Sequence, residues 1–164
     1  LDDSVEEIME AAVLVTDADL NIVAEGPNLI INVNSDVLDN MGEWCKNQHG
    51  KSGLTEKCRS SDVTLEAAQE QLLNFIKEHT KAGQAPLAGN SIGADKRFLC
   101  KYMPKVISHL HYRVVDVSTV KELCRRWYPL EFAAAPKKKG SHRALDDIKE
   151  SVDELAYYRG SIFK

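Results

Sequence analysis

Pro86-Leu87-Ala88-Gly89-Asn90-Ser91-Ile92-Gly93-Ala94-Asp95 is the stretch on which the fold turns. Its first four residues read as a short buried strand. The rest leads into a helix whose apolar residues are Phe98, Leu99, Tyr102 and Met103. Asp95 therefore sits where a strand becomes a helix, at the carboxyl edge of a sheet, where open α/β folds place ligands. Helix starts attract acids for dipole reasons as well, so Asp95 alone is only a candidate.

On the C-terminal side, Pro104 to Leu110 reads as a helical or irregular crossing, and His111-Tyr112-Arg113-Val114-Val115-Asp116-Val117 as the next strand. Thr119-Val120-Lys121-Glu122 has the form of a capping box. Val120, Leu123, Cys124 and Trp127 then form the buried stripe of a helix that ends before Pro129. Leu130 to Gly140 reads as a loop, and its Lys137-Lys138-Lys139 run as a solvated face. Beyond it comes Ser141-His142-Arg143-Ala144-Leu145-Asp146-Asp147-Ile148-Lys149-Glu150-Ser151, the mouth of an amphipathic helix. The stripe expected to pack is Leu145, Ile148, Val152, Leu155, Ala156 and Arg159, with the acids at its margin. Asp146 and Asp147 lie on opposite flanks, and periodicity does not choose between them.

On the N-terminal side, Ile8 to Thr16 and Leu20 to Val33 read as a hairpin, with Gly26-Pro27 bending or bulging its second strand. Glu10 is an acid among apolar neighbours, either hydrogen-bonded at a strand edge or directly chemical. Residues 34 to 63 read as polar and irregular; Trp44, within them, could stack on a base or cap the core beneath a loop. Thr64 opens a helix to Thr80 with Leu65, Ala68, Leu72, Phe75, Ile76 and His79 on one face. The order of elements implies a single α/β domain over residues 1–164, with an antiparallel pair joined to a parallel part.

Composition narrows the function. With 43% apolar and 28% charged residues, the 164-residue chain has the make-up of a globular domain with its own core. A net charge of −4 argues against coating long duplexes, while a short or single-stranded substrate held at one local site stays open. Cys45, Cys58, Cys100 and Cys124 form no CxxC pair and no zinc spacing, so free thiols in a reducing, intracellular compartment are expected. No run of about 18 apolar residues exists to span a membrane. Asp95 and Asp147 are carboxylates suited to a hard divalent cation, and a neutral His142 could take a proton from water. Two such ions form the clamp used in phosphoryl transfer, which typically needs three or four carboxylates.

Gly89 to Leu99, His111-Tyr112-Arg113 with Asp116-Val117-Ser118-Thr119, and His142 to Asp147 together closely resemble the oligoribonuclease family of DEDDh 3′-to-5′ exonucleases. The resemblance runs through Trp44 to Leu54 and Ala156-Tyr157-Tyr158-Arg159, hence over essentially the whole chain. It implies a ribonuclease H-like exonuclease fold, a mixed sheet flanked by helices. It also implies a hydrolase using two Mg²⁺ or Mn²⁺ ions to degrade very short RNA oligonucleotides, dinucleotides above all, to mononucleotides. Asp95 and Asp147 match the family's metal acids and His142 its general base; the His-x4-Asp spacing selects Asp147 over Asp146. Leu1 and Trp44 match residues that pack against the bases, with His49 in the matching loop. Ser91, Arg113, Ser118 and Thr119 match the cap around the terminal phosphate. Tyr112 matches a residue donated by the other subunit of a homodimer. The cytoplasm is the first expected compartment, with mitochondrion and nucleus also open.

One departure stands out. The family carries an Asp-x-Glu pair on a first, central strand immediately ahead of the position of Leu1, and the chain begins after it. The expectation is a longer natural protein, and a fragment that by itself is poorly closed and inactive. The alternative is a member that binds short nucleotides or forms dimers without hydrolysis.

Overall fold

The computed structural model describes residues 2–137 and 143–163. Strands β1 (Glu10–Thr16) and β2 (Ile22–Ile30) form an antiparallel hairpin. Ala12 faces Asn28 and Leu14 faces Glu25, so β2 carries one extra residue at Gly26-Pro27, the expected bulge. The bulge needs glycine: a Cβ on Gly26 would lie 2.7 Å from both Phe75 Cδ1 and Val13 Cγ1.

The segment read as irregular instead holds three short helices, α1 (Ser35–Asp39), α2 (Glu43–Lys51) and α3 (Leu54–Ser60). Each is too short to show a 3.6-residue repeat; α1 and α3 are held by packing of Leu38, Leu54 and Cys58 with Val33, while α2 buries no residue. Helix α4 (Leu65–His79) follows, its N-terminus capped by Thr64 Oγ1, which accepts from Ala67 N–H at 3.1 Å. Ala68, Leu72, Leu73 and Ile76 of α4 close the main core against Leu29, Ile31, Met103 and Val106.

Strand β3 (Pro86–Gly89) leads to α5 (Ile92–Tyr102), then α6 (Pro104–His109), β4 (His111–Asp116) and α7 (Val117–Trp127). Helix α8 (Pro129–Ala134) occupies part of the expected loop, and α9 (Ala144–Ser161) ends the chain. The capping box does not form. Helix α7 starts two residues earlier than Thr119, because Asp116 Oδ1 accepts from Ser118 N–H at 2.9 Å, while Glu122 pairs with Arg125 and Arg126.

Strands β3 and β4 are parallel, with Gly89 beside Asp116 at their carboxyl ends. Among the described residues the hairpin and the parallel pair are separate two-stranded ladders. Helix α9 packs against β1, β3 and α7 and so spans both. The α/β class with helices flanking a small sheet is as expected, and among the described residues no helix is long and apolar enough to cross a membrane.

The burial of α9 differs from the expected stripe. Its fully buried positions are Ser151, Glu154 and Tyr158, on one line with Asp147 at i, i+4, i+7 and i+11, while Leu145, Ile148, Val152 and Leu155 are half-buried. Local hydrophobicity pointed to the apolar stripe; the polar line is the one sealed because Lys121 of α7 and Asn90, in the turn after β3, supply its partners.

Candidate active site

Parallel pairing aligns Gly89 with Asp116, so the starts of α5 and α7 lie side by side beyond the sheet edge. Two side chains join them. Asp116 Oδ1 and Ser118 Oγ both accept from the Ser91 N–H, at 3.0 and 2.9 Å. The Ser91 and Ser118 hydroxyls are 3.1 Å apart. Ser91 itself adopts the left-handed conformation, φ 52°, which costs a non-glycine residue on the order of 1 kcal/mol and is held here by these two acceptors.

Asp95 lies in the first turn of α5. Although Asp95 is exposed overall, desolvation at the start of α5 holds its carboxyl above the usual carboxylate range, against a hydrogen bond from its own backbone, and the negative charge of Asp116 pushes the same way. A carboxylate made costly in this manner gains from a neighbouring cation, so its chemistry fits a hard divalent metal ion. Among the described residues no group of three or more His, Cys, Asp or Glu side chains is arranged to hold a metal.

Tyr112 projects from β4 with 71% of its surface exposed, stacked on His111 at 4.5 Å between ring centres. The Arg113 guanidinium lies 5.3 Å from the Tyr112 ring, and Lys96 Nζ donates to the Tyr112 carbonyl at 2.9 Å. Thr119 is exposed in the first turn of α7. Trp44, 67% exposed, opens α2, and half-buried His49 lies one and a half turns further along that helix. Trp44 is thus not a core cap.

Asp147 is half-buried in the first turn of α9, and its carbonyl accepts from Ser151 Oγ at 2.8 Å; Asp146, its neighbour, is exposed. Leu1 and His142 lie outside the described residues. Arg143, the residue after His142, donates from Nη2 to Glu10 Oε1 at 3.0 Å, with the Glu10 side chain only 6% exposed. Glu10 is therefore an ion-paired acid at the start of β1 that anchors the start of α9. Its charge, secondary to burial, helps push the Cys58 thiol up to about 11, and all four cysteines are free.

The structure brings Ser91, Ser118 and Asp116 into direct contact beside Asp95; Trp44 and His49 share a separate helix. Sequence reasoning passed over Asn90, Lys121, Ser151 and Glu154, which join α9 to this edge. The available signal was the spacing Asp147, Ser151, Glu154, Tyr158, a helical line of polar groups easily mistaken for a solvated face.

A family model described as Exonuclease matches residues 1–155. A mitochondrial oligoribonuclease from Bos taurus is 59% identical over all 164 residues, which cover 69% of that protein. A probable oligoribonuclease from Dictyostelium discoideum is 52% identical, with the chain covering 85% of it. An oligoribonuclease from the bacterium Pseudoalteromonas translucida is 53% identical over 163 residues, 99% of this chain and 90% of its own. A match of this extent and identity, on a sheet edge that carries an acid and a pair of hydroxyls, leaves one assignment: the chain belongs to the exonuclease family with the ribonuclease H-like fold, among its oligoribonucleases.

Proposed function

We propose that the protein is a 3′-to-5′ exoribonuclease that hydrolyses very short RNA, dinucleotides above all, to mononucleotides. The observation that carries this reading is the paired Ser91 and Ser118 hydroxyls at the edge where Asp95 emerges, a compact polar seat for one phosphate next to a metal-seeking carboxylate. The net charge of −4 agrees, because a dinucleotide has too few phosphates to reward a broad basic surface.

In this reading Asp95 and Asp147 would hold Mg²⁺ or Mn²⁺, two ions per site. Bound, such ions polarise the scissile phosphate and acidify water. His142 accepts the proton of the attacking water at a ring nitrogen and passes it to solvent. The water oxygen bonds to phosphorus as the P–O3′ bond breaks, the O3′ oxygen takes a proton from solvent to become the free 3′-hydroxyl, and the 3′ nucleotide leaves as its 5′-phosphate. Ser91 and Ser118 hydroxyls, with Arg113 and Thr119, take the phosphate at the other end of the substrate and cap the site. Trp44, His49 and Leu1 pack on and around the bases. Residues 1–164 belong to one domain, and the compartment is mitochondrial, as in the names of the bovine and human relatives.

The test is a time course of the full-length protein with radiolabelled RNAs of two to ten nucleotides, with and without a chelator. The dinucleotide is expected to be cleaved fastest, and chelation to stop cleavage at every length. Dinucleotide binding that survives the chelator, with no hydrolysis at any metal concentration, would sink the catalytic reading in favour of a binding module.

We also propose a homodimer in which Tyr112 reaches the partner's site. The 71% exposure of this large aromatic side chain on β4 supports its availability to a second copy. Tyr112→Ala should then slow cleavage about tenfold or more with metal affinity unchanged. A monomer mass across the micromolar range by sedimentation equilibrium would overturn the dimer.

A further inference from the structure

Glu154 is 2% exposed, at the centre of α9, and a buried carboxylate is tolerated only when donors surround it. Three do. Lys121 Nζ from α7 lies 3.0 Å from Oε1, the Tyr158 hydroxyl donates to Oε1 at 3.2 Å, and Asn90 Nδ2 donates to Oε2 at 3.2 Å. Burial, with the Glu154 charge adding to it, pushes the Tyr158 phenol well up, so it stays a neutral donor.

Asn90 is the hub. Its Nδ2 also donates to Ser151 Oγ at 2.8 Å, and Ser151 Oγ donates in turn to the Asp147 carbonyl at 2.8 Å. Its Oδ1 accepts from Ser118 Oγ at 3.1 Å, the same hydroxyl that accepts the Ser91 N–H at 2.9 Å. One amide side chain thus hydrogen-bonds α9 on one side and α7 on the other, and through Ser91 it fixes the turn from which α5 and Asp95 begin. The amide is suited to the task because it offers a donor end and an acceptor end in fixed orientation.

We propose that Asn90 is a positioning residue that sets the Asp95-bearing α5 and the Asp147-bearing α9 in mutual register for metal binding, with Ser151 and Glu154 as its anchors on α9. The inference rests on the metal roles of Asp95 and Asp147 proposed above. Outer residues that orient ligands typically change metal affinity 10–100-fold.

Mn²⁺ binding to the full-length protein, measured by calorimetry without RNA, gives a readout independent of turnover. Asn90→Asp sets a second carboxylate against Glu154, and should weaken Mn²⁺ binding at least about tenfold and lower kcat with little change in KM. Adding Glu154→Gln to it exchanges donor and acceptor across the same contact at unchanged total charge, and should restore affinity to within about threefold. Ser151→Ala deletes one hydroxyl, keeps the protein folded, and should cost about threefold or more by itself. Asp147→Asn serves as the control. If Asp147→Asn loses Mn²⁺ while Asn90→Asp, if folded, and Ser151→Ala bind as tightly as the parent, the positioning role falls and the site reading stands. If Asp147→Asn binds Mn²⁺ undiminished, the site reading falls and takes this inference with it. Failure of the exchanged pair to recover, when folded, also overturns the role given to the Asn90–Glu154 contact.

Discussion

Replacing His142 by alanine in the full-length protein should lower kcat on a dinucleotide by about 10²–10⁴-fold, the usual contribution of a positioned general base. Dinucleotide affinity should stay within about threefold, because in the proposed mechanism the imidazole acts on the water and not on the bases or the phosphate. The structural ground is the anchoring of its neighbour. Arg143 is tied to the buried Glu10 carboxylate across 133 residues of sequence, which holds the chain entering α9 against the start of β1. Turnover within a factor of about three of the parent would remove His142 from the mechanism.

The second large effect concerns the two carboxylates. Asp95→Asn and Asp147→Asn should each weaken Mn²⁺ binding beyond the roughly 10–100-fold that outer residues cost, since an amide oxygen supplies no charge. Asp95→Asn should also shift stability in the opposite sense. Desolvation and the Asp116 charge raise the Asp95 carboxyl in the fold above its value in the unfolded chain. The folded protein therefore binds more protons than the unfolded one just above the ordinary Asp range, and stability declines as pH rises through that window. At neutral pH the ionised carboxylate is a net cost, which the amide removes. The metal-free variant should be no less stable than the parent at neutral pH, with metal affinity lost. A melting temperature that falls, with Mn²⁺ binding retained, would contradict the role given to Asp95. Such a trade of stability for function is expected where charge is held in place for a ligand.

The long periodic elements were legible because local pattern and tertiary demand coincide there. Leu65 to His79 shows its buried face in the spacing of Ala68, Leu72 and Ile76, and Thr64 announces its cap. Pro86 to Asp95 likewise reads correctly as strand, turn and helix, but the strand is not the buried one expected: Pro86 and Ala88 are exposed and only Leu87 and Gly89 are half-buried. Even the bulge at Gly26 was visible, because glycine and proline act on the backbone directly.

What escaped the sequence depends on partners far along the chain. Helices α1 to α3 are shorter than the window in which a helical repeat can be seen. The start of α7 was misplaced because Asp116, a strand residue by pattern, turns its carboxylate onto both Ser118 and Ser91, 25 residues upstream. Asp146 and Asp147 are equivalent to any count of apolar spacing; only the packing of α9 against α7 and β3 separates the exposed acid from the half-buried one. The sequence by itself determined the α/β class, the junction that carries Asp95 and the family. Tertiary structure alone decided that α9 buries its polar line, because the cost of sealing Glu154 and Ser151 from water is met by Asn90, Lys121 and Tyr158, and two of these three lie on other elements.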